Sequence, residues 1–391
     1  MFANGWKRGR AAALSAVCVA GLLGVGAGVA GATSAASAGT SVAQVQAQAR
    51  VPWSQVGPGW TLVEYSNGTI AHHAATTLYV VSPAGAKYPV YTWRASANFA
   101  PGLVAWSGDK TRALLDGIAP GVQTQLNLVT GKLTRFVMTD GAAAIGYTRP
   151  HGLNILGTQM SMDGRVWSLG RYSLTGALVK TLATSDNYSI SGIDSPDGTI
   201  LAVAGTTGLR LISNTGAVIR QLPVPRTDPT IGCGPVRWWD SKTILAGCGA
   251  KSASMGRLWL VPSSGGTPTP LTPQRKPGPM SLGDLDAWRL NSGLYLQSAT
   301  GCGTVVINKQ NANGSLTRVN VPGTLNANNR VLTAQGQSLL VDALTACPGT
   351  SSLLWFNPGT RAEKWLFKAP AGAFGVLNVV PFYSTENGPS I

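Results

Sequence analysis

An all-β protein, a seven-bladed β-propeller whose ring is closed by a C-terminal strand in the first blade, is the fold class this sequence predicts, and three observations carry it. Glycine and proline contribute 49 and 24 of 391 residues, a turn-dense composition. No segment after residue 50 keeps a helical period for three turns. A unit of short strands and turns recurs at roughly the 40 to 50 residues of a four-stranded blade. Because a closed array of such units is one domain, the repeats override the two or three domains that length alone suggests.

Residues 1–38 read as a secretory signal. Lys7, Arg8 and Arg10 precede an apolar, small-residue stretch from Ala11 to Ala32, and Ala30-Gly31-Ala32 and Ala36-Ser37-Ala38 both fit small-x-small cleavage. Without a twin arginine the general secretory route is expected. Cys18 follows Val17, where a lipoprotein signal needs a small residue, so lipidation is not. The expected location is outside the cell or at its wall, with no membrane span once the signal is removed. An uncleaved N-terminal anchor is the alternative, since the apolar stretch approaches the roughly 20 residues that span a bilayer. Residues 39–50, rich in Ala, Gln, Ser and Thr, read as a flexible tether.

The propeller then occupies residues 51–391. Its best-preserved copy runs from 189 to 223: a strand over Ser189 to Asp194, a Ser195-Pro196-Asp197-Gly198 turn, a strand over Thr199 to Ala204, and a hairpin about Asn214-Thr215-Gly216. Seven such hairpins can be read, each with a glycine where positive φ is cheapest: Gly85, Gly131, Gly176, Gly216, Gly265, Gly314 and Gly359. The preceding turns, centred on Pro58, Gly108, His151, Asp197, Ser241, Ser292 and Gly336, are spaced by 50, 43, 46, 44, 51 and 44 residues. The first copy lacks an inner strand, and Phe374 to Phe382 is an apolar strand left over at the end, which predicts closure of the ring.

At Trp106-Ser107-Gly108-Asp109 and Ile193-Asp194-Ser195-Pro196-Asp197-Gly198 the sequence resembles the TolB-type, WD-like (PD40-like) propeller repeat. The resemblance covers residues 51–391 at the level of fold. Propellers of this class host enzymes, lectins and scaffolds alike, so it implies a scaffold and transfers no site.

The charge of +15 reflects scarce acids, 15 Asp and Glu against 30 Lys and Arg, and Lys7, Arg8 and Arg10 of the signal supply three of it. That balance favours anionic partners such as wall polymers or acidic lipid. The bases are scattered singly, which argues against nucleic acid. With Cys18 lost to the signal, Cys233, Cys248, Cys302 and Cys347 remain, an even number in an exported chain. Strand order places all four at one face, which predicts disulfides Cys233–Cys248 and Cys302–Cys347; the absence of CxxC spacing argues against zinc.

His72 and His73 fall in the loop after the second strand of the first blade, on that same face, where they read as an exposed polar loop or as a metal or proton site. Asp140, Asp186, Asp228, Asp284 and Asp286 are expected at the junctions between blades, around the channel mouth, where they read as turn residues or as calcium ligands. No other cofactor is expected. Trp106, Trp238, Trp239, Trp288 and Trp365 are expected to fill the wedges between blades. No GxSxG, HExxH or phosphate loop ending in Lys-Ser/Thr occurs. The reading these observations favour is a secreted, monomeric, noncatalytic propeller that binds a protein or glycan, for example a wall polymer, at its loop-rich face. The alternative is an extracellular lyase, lactonase or hydrolase built from His72, His73 and the mouth aspartates.

Overall fold

A computed structural model describes residues 50–382 apart from 70, 96–100, 118, 120, 162, 163, 165, 186–189, 206, 207, 226–232, 249–255, 277, 279, 280, 302, 303, 347 and 348. The predicted signal and all of the tether except Arg50 lie outside the described residues. The strands in chain order are β1 (Thr61–Ser66), β2 (Thr76–Val81), β3 (Lys87–Trp93), β4 (Leu103–Trp106), β5 (Arg112–Asp116), β6 (Val122–Asn127), β7 (Leu133–Val137), β8 (Ala143–Tyr147), β9 (Ile155–Met160) and β10 (Trp167–Tyr172). They continue with β11 (Leu178–Ser185), β12 (Gly192–Asp194), β13 (Ile200–Ala204), β14 (Gly208–Ser213), β15 (Val218–Pro223), β16 (Cys233–Trp238), β17 (Thr243–Cys248), β18 (Arg257–Pro262) and β19 (Thr269–Pro270). The last are β20 (Gly283–Leu290), β21 (Gly293–Ala299), β22 (Val305–Gln310), β23 (Leu316–Arg318), β24 (Arg330–Gln335), β25 (Ser338–Ala346), β26 (Thr350–Phe356), β27 (Glu363–Phe367) and β28 (Gly375–Pro381). Among the described residues the one helical element is a 3-10 turn over Thr139–Gly141, and no helix is long and apolar enough to cross a membrane.

The chain is thus all-β. Five four-stranded antiparallel sheets follow one another, β4 to β7, β8 to β11, β12 to β15, β16 to β19 and β20 to β23. The sixth sheet has eight strands, in the order β24-β25-β26-β28-β1-β2-β3 with β27 paired to β26. The terminal strand β28 pairs antiparallel with β1 from Thr61↔Pro381 to Ser66↔Gly375, which is where the leftover apolar segment was expected. Closure of a ring is not what the backbone pairing records. Hydrogen-bonded pairing joins β28 to the preceding strands by a single parallel bridge, Ser351↔Gly375, and the other five sheets stand separate.

Strands second from one edge are apolar runs rather than alternating ones, because both faces are covered. Ala113, Leu114 and Leu115 in β5, Ile244, Leu245 and Ala246 in β17, and Leu339, Leu340 and Val341 in β25 are all 0% exposed. Most clusters of buried residues draw on neighbouring sheets: one joins Leu62 and Leu78 to Leu115 and Leu126, another joins Leu156 and Leu169 to Leu201 and Ile212. A further cluster joins Leu340, Leu353 and Phe367 to Val63 and Val376. Burying one such side chain stabilises by about 1.5–3 kcal/mol, so these wedges hold the sheets together. Trp106, Trp238 and Trp288 are buried in them as expected, and Phe382 packs edge-on against Trp106 at 5.0 Å.

The turns follow their chemistry. Asp197 accepts hydrogen bonds from the Ser195 hydroxyl (2.5 Å), Thr199 N (3.1 Å) and the Thr199 hydroxyl (2.9 Å), closing the turn before β13. Asp109 does the same with Ser107 and Thr111 before β5. Six of the seven expected hairpin glycines have positive φ; in the last hairpin Arg361, at φ 63°, takes that position and Gly359 does not. The expected strand over Ser189 to Asp194 is only three residues long in β12, and 186–189 lie outside the described residues.

Candidate functional site

His72 and His73 sit in the loop from β1 to β2, both exposed. Their loop is held by short-range bonds: Thr69 N donates to His72 O at 2.7 Å, His72 N donates to the Thr69 hydroxyl at 3.0 Å, and Gly68 N donates to the Ser66 hydroxyl at 3.1 Å. Phe374 N donates to Gly68 O at 2.7 Å, and Ser351 N donates to Phe374 O at 3.1 Å. The Ser351 hydroxyl in turn donates to Asp342. The histidine loop is therefore tied to β26 and to the entry of β28, where the first and last strands pair.

Of the five aspartates expected around the mouth, Asp140, Asp284 and Asp286 are among the described residues. Asp140 is exposed on the 3-10 turn, in the left-handed region at φ 56°. Asp284 and Asp286 lie inside β20, not in the junction before it, and each faces an arginine. Asp284, 6% exposed, pairs with Arg275, whose other donors reach the Gln310 amide oxygen at 2.5 Å and Gly314 O at 3.2 Å. Burial raises the Asp284 carboxyl above its usual range, and Arg275 opposes that rise. Asp286 accepts from Arg237 Nε at 2.9 Å, while the guanidinium lies 5.0 Å from the Trp239 ring and 5.6 Å from the Trp288 ring. Asp186 and Asp228 lie outside the described residues. Among the described residues no three His, Cys, Asp or Glu side chains come together as metal ligands.

Cys233 and Cys248 form a disulfide, as direct cross-strand neighbours of β16 and β17 with their Cα atoms 4.1 Å apart. Cys302 and Cys347 lie outside the described residues.

Several chemically active residues had not been singled out. Glu64, 1% exposed, lies in β1 and accepts from the Asn378 amide of β28 at 2.7 Å and from Leu103 N of β4 at 3.3 Å, both through Oε2. Its Oε1 is buried without a partner, and burial raises its pKa to about 7 against those two donors. Asp194, partly buried, accepts from Arg149 N at 3.2 Å and is raised to about 6, again by burial. A lone acid inside an apolar run, as in Thr61-Leu62-Val63-Glu64, was the available signal, since burying a carboxylate is costly. At the opposite end of the β25 and β26 strands from the histidine loop, an open groove of about 370 Å³ is lined by Pro83, Gln335, Trp355, Asn357, Glu363 and Lys364. The Trp355 indole N–H is buried without a partner.

No protein-family model matches the chain, and no curated protein does. Solved structures do. A prolyl endopeptidase structure shares 13% identity at a TM-score of 0.50 over 79% of this chain, which spans 50% of that one. A 6-phosphogluconolactonase-like protein from Bacteroides uniformis shares 14% at 0.48, covering 82% of this chain and 99% of that one. A TolB-like protein from Agrobacterium tumefaciens shares 15% at 0.39, covering 67% and 89%. At such identities the likeness concerns the fold alone.

Proposed function

We propose that the chain is a secreted, noncatalytic seven-bladed β-propeller that binds a protein or glycan partner through its loop-rich face. The count of seven rests on reading the eight-stranded sheet as two blades, β24 to β27 and β28 with β1 to β3, touching at one bridge. The observation that carries the binding reading is the fate of Asp284 and Asp286. Both carboxylates are engaged by Arg275 and Arg237 within the fold, so they serve packing between sheets rather than a ligand. What the face offers outward is a loop with two adjacent imidazoles, held on a rigid seam. Rigid scaffolds presenting polar loops suit recognition.

The signal over 1–38 and the tether over 39–50 belong to the same proposal, which sets the protein outside the cell. The test uses the full exported chain immobilised against soluble wall glycans and secreted proteins. Binding that falls at least about tenfold in His72→Ala/His73→Ala, with an unchanged melting temperature, supports the reading. Hydrolysis of lactone or peptide substrates that disappears in the same double variant overturns it in favour of an enzyme. Binding that survives the double variant undiminished overturns the choice of face.

A further inference from the structure

Exposed apolar side chains concentrate on one band. Val137 (65% exposed), Val179 (56%), Val218 (62%) and Ile219 (50%), with Leu133 and Leu178, lie on β7, β11 and β15. These are the outermost strands of three successive sheets, each with one edge unpaired in its sheet. Two carry one short pattern, two apolar residues followed by a base, Leu178-Val179-Lys180 and Val218-Ile219-Arg220, and the third has Leu133-Thr134-Arg135.

Just past β7, Thr139 donates to Gly176 O from its N–H (2.8 Å) and its hydroxyl (3.1 Å), and Leu178 N donates to the Thr139 hydroxyl at 3.1 Å. A Cβ at Gly176 would stand 2.2 Å from Val137 O, so only glycine lets the hairpin before β11 lie against β7. The hairpin before β15 also lies over β11, more loosely: a Cβ at Gly216 would stand 3.5 Å from side-chain atoms of Leu182 and Lys180, an ordinary contact. The three edge strands are therefore neighbours, and their exposed apolar residues are interleaved with the exposed Lys132, Arg135, Lys180 and Arg220. Arg220 donates to Ser264 O and is in part structural. No Asp or Glu occurs in the three strands; Asp186 follows β11 directly and Asp140 lies just beyond β7.

Cations on edge strands are a common guard against pairing with other chains, but that guard does not require exposed Val, Leu and Ile beside them. A polyanionic polymer would use the cations alone. A peptide adding one strand would use a single edge, whereas exposed apolar residues and bases recur on all three. We propose that this band docks the protein on an anionic lipid surface, its aliphatic side chains entering the interfacial layer and its Lys and Arg pairing with phosphate headgroups.

Co-sedimentation of the full chain with phosphatidylcholine vesicles containing about a quarter phosphatidylglycerol tests this, since each base near such a surface adds measurably to binding. Binding to these vesicles is expected, with little to pure phosphatidylcholine and a steep decline with salt. Arg135→Glu/Lys180→Glu and Val179→Glu/Ile219→Glu should each weaken it at least about tenfold while leaving the melting curve in place, because all four positions are exposed. The proposal is overturned by absence of vesicle binding, by equal binding to neutral vesicles, or by variants that bind like the parent. Equal affinity for soluble polyphosphate would assign the band to a polymer. A dimer in sedimentation velocity that Val179→Glu/Ile219→Glu separates would assign it to a second copy.

Discussion

Two regions bury a carboxylate between sheets and treat it in opposite ways. In β20, Asp284 is met by a guanidinium that also bonds Gln310 and Gly314, so the acid, though raised by burial, keeps a counter-charge. In β1, Glu64 meets only neutral donors, Asn378 and Leu103 N, and its second oxygen has none. The first arrangement tolerates ionisation and the second opposes it. The difference makes the junction of the first and last strands a pH-sensitive point of the fold, because β28 supplies one of the two groups that hold Glu64.

The comparison breaks most completely when β28 is removed. Deleting residues 374–391 takes away the partner of β1, Val376 from one core cluster and Phe382 from another, and cooperative unfolding should disappear from the thermal scan. A truncated chain that melts at the parent temperature would refute the role given to that strand. Arg275→Met should cost about 3–5 kcal/mol in urea denaturation, the usual consequence of stranding a buried charge. A cost near zero would show that Asp284 is not held by its arginine.

The third prediction concerns Glu64 and sharpens the contrast. Its folded pKa of about 7 exceeds its ordinary 4.5, so the folded state binds more protons than the unfolded one between those values. Stability is therefore full below about pH 4.5, falls as pH rises and levels off above pH 7, a total of about 3 kcal/mol. Glu64→Gln should remove that slope, stabilising the protein at pH 8 and changing little at pH 4. A pH profile identical to that of the parent would move the sensitive group elsewhere, with Asp194 the next candidate.

Much of the scaffold was legible in the residues. The turn at Ser195-Pro196-Asp197-Gly198, the hairpin glycines and the apolar runs of the middle strands are local matters of φ preference, side-chain hydrogen bonding and two-sided burial. The pairing of β28 with β1 could be read as well, since one copy lacked a strand and one apolar strand was spare. The neighbours of Cys233 and Cys248 followed from the antiparallel course of one hairpin.

What the sequence by itself determined, then, is the kind of strand and turn at each place and the period at which they recur. Only the tertiary structure decided which charges meet. Arg237 and Asp286 stand 49 residues apart, about one repeat, and find each other because first strands of adjacent sheets lie side by side. Glu64 and Asn378 stand 314 apart and find each other because β1 and β28 pair. The same holds for the exposed aliphatic band, whose three short segments read singly as ordinary edge strands and become neighbours only when each hairpin lies over the preceding sheet. Local preferences act over a few residues, whereas burial and charge pairing depend on neighbours that the fold alone brings together.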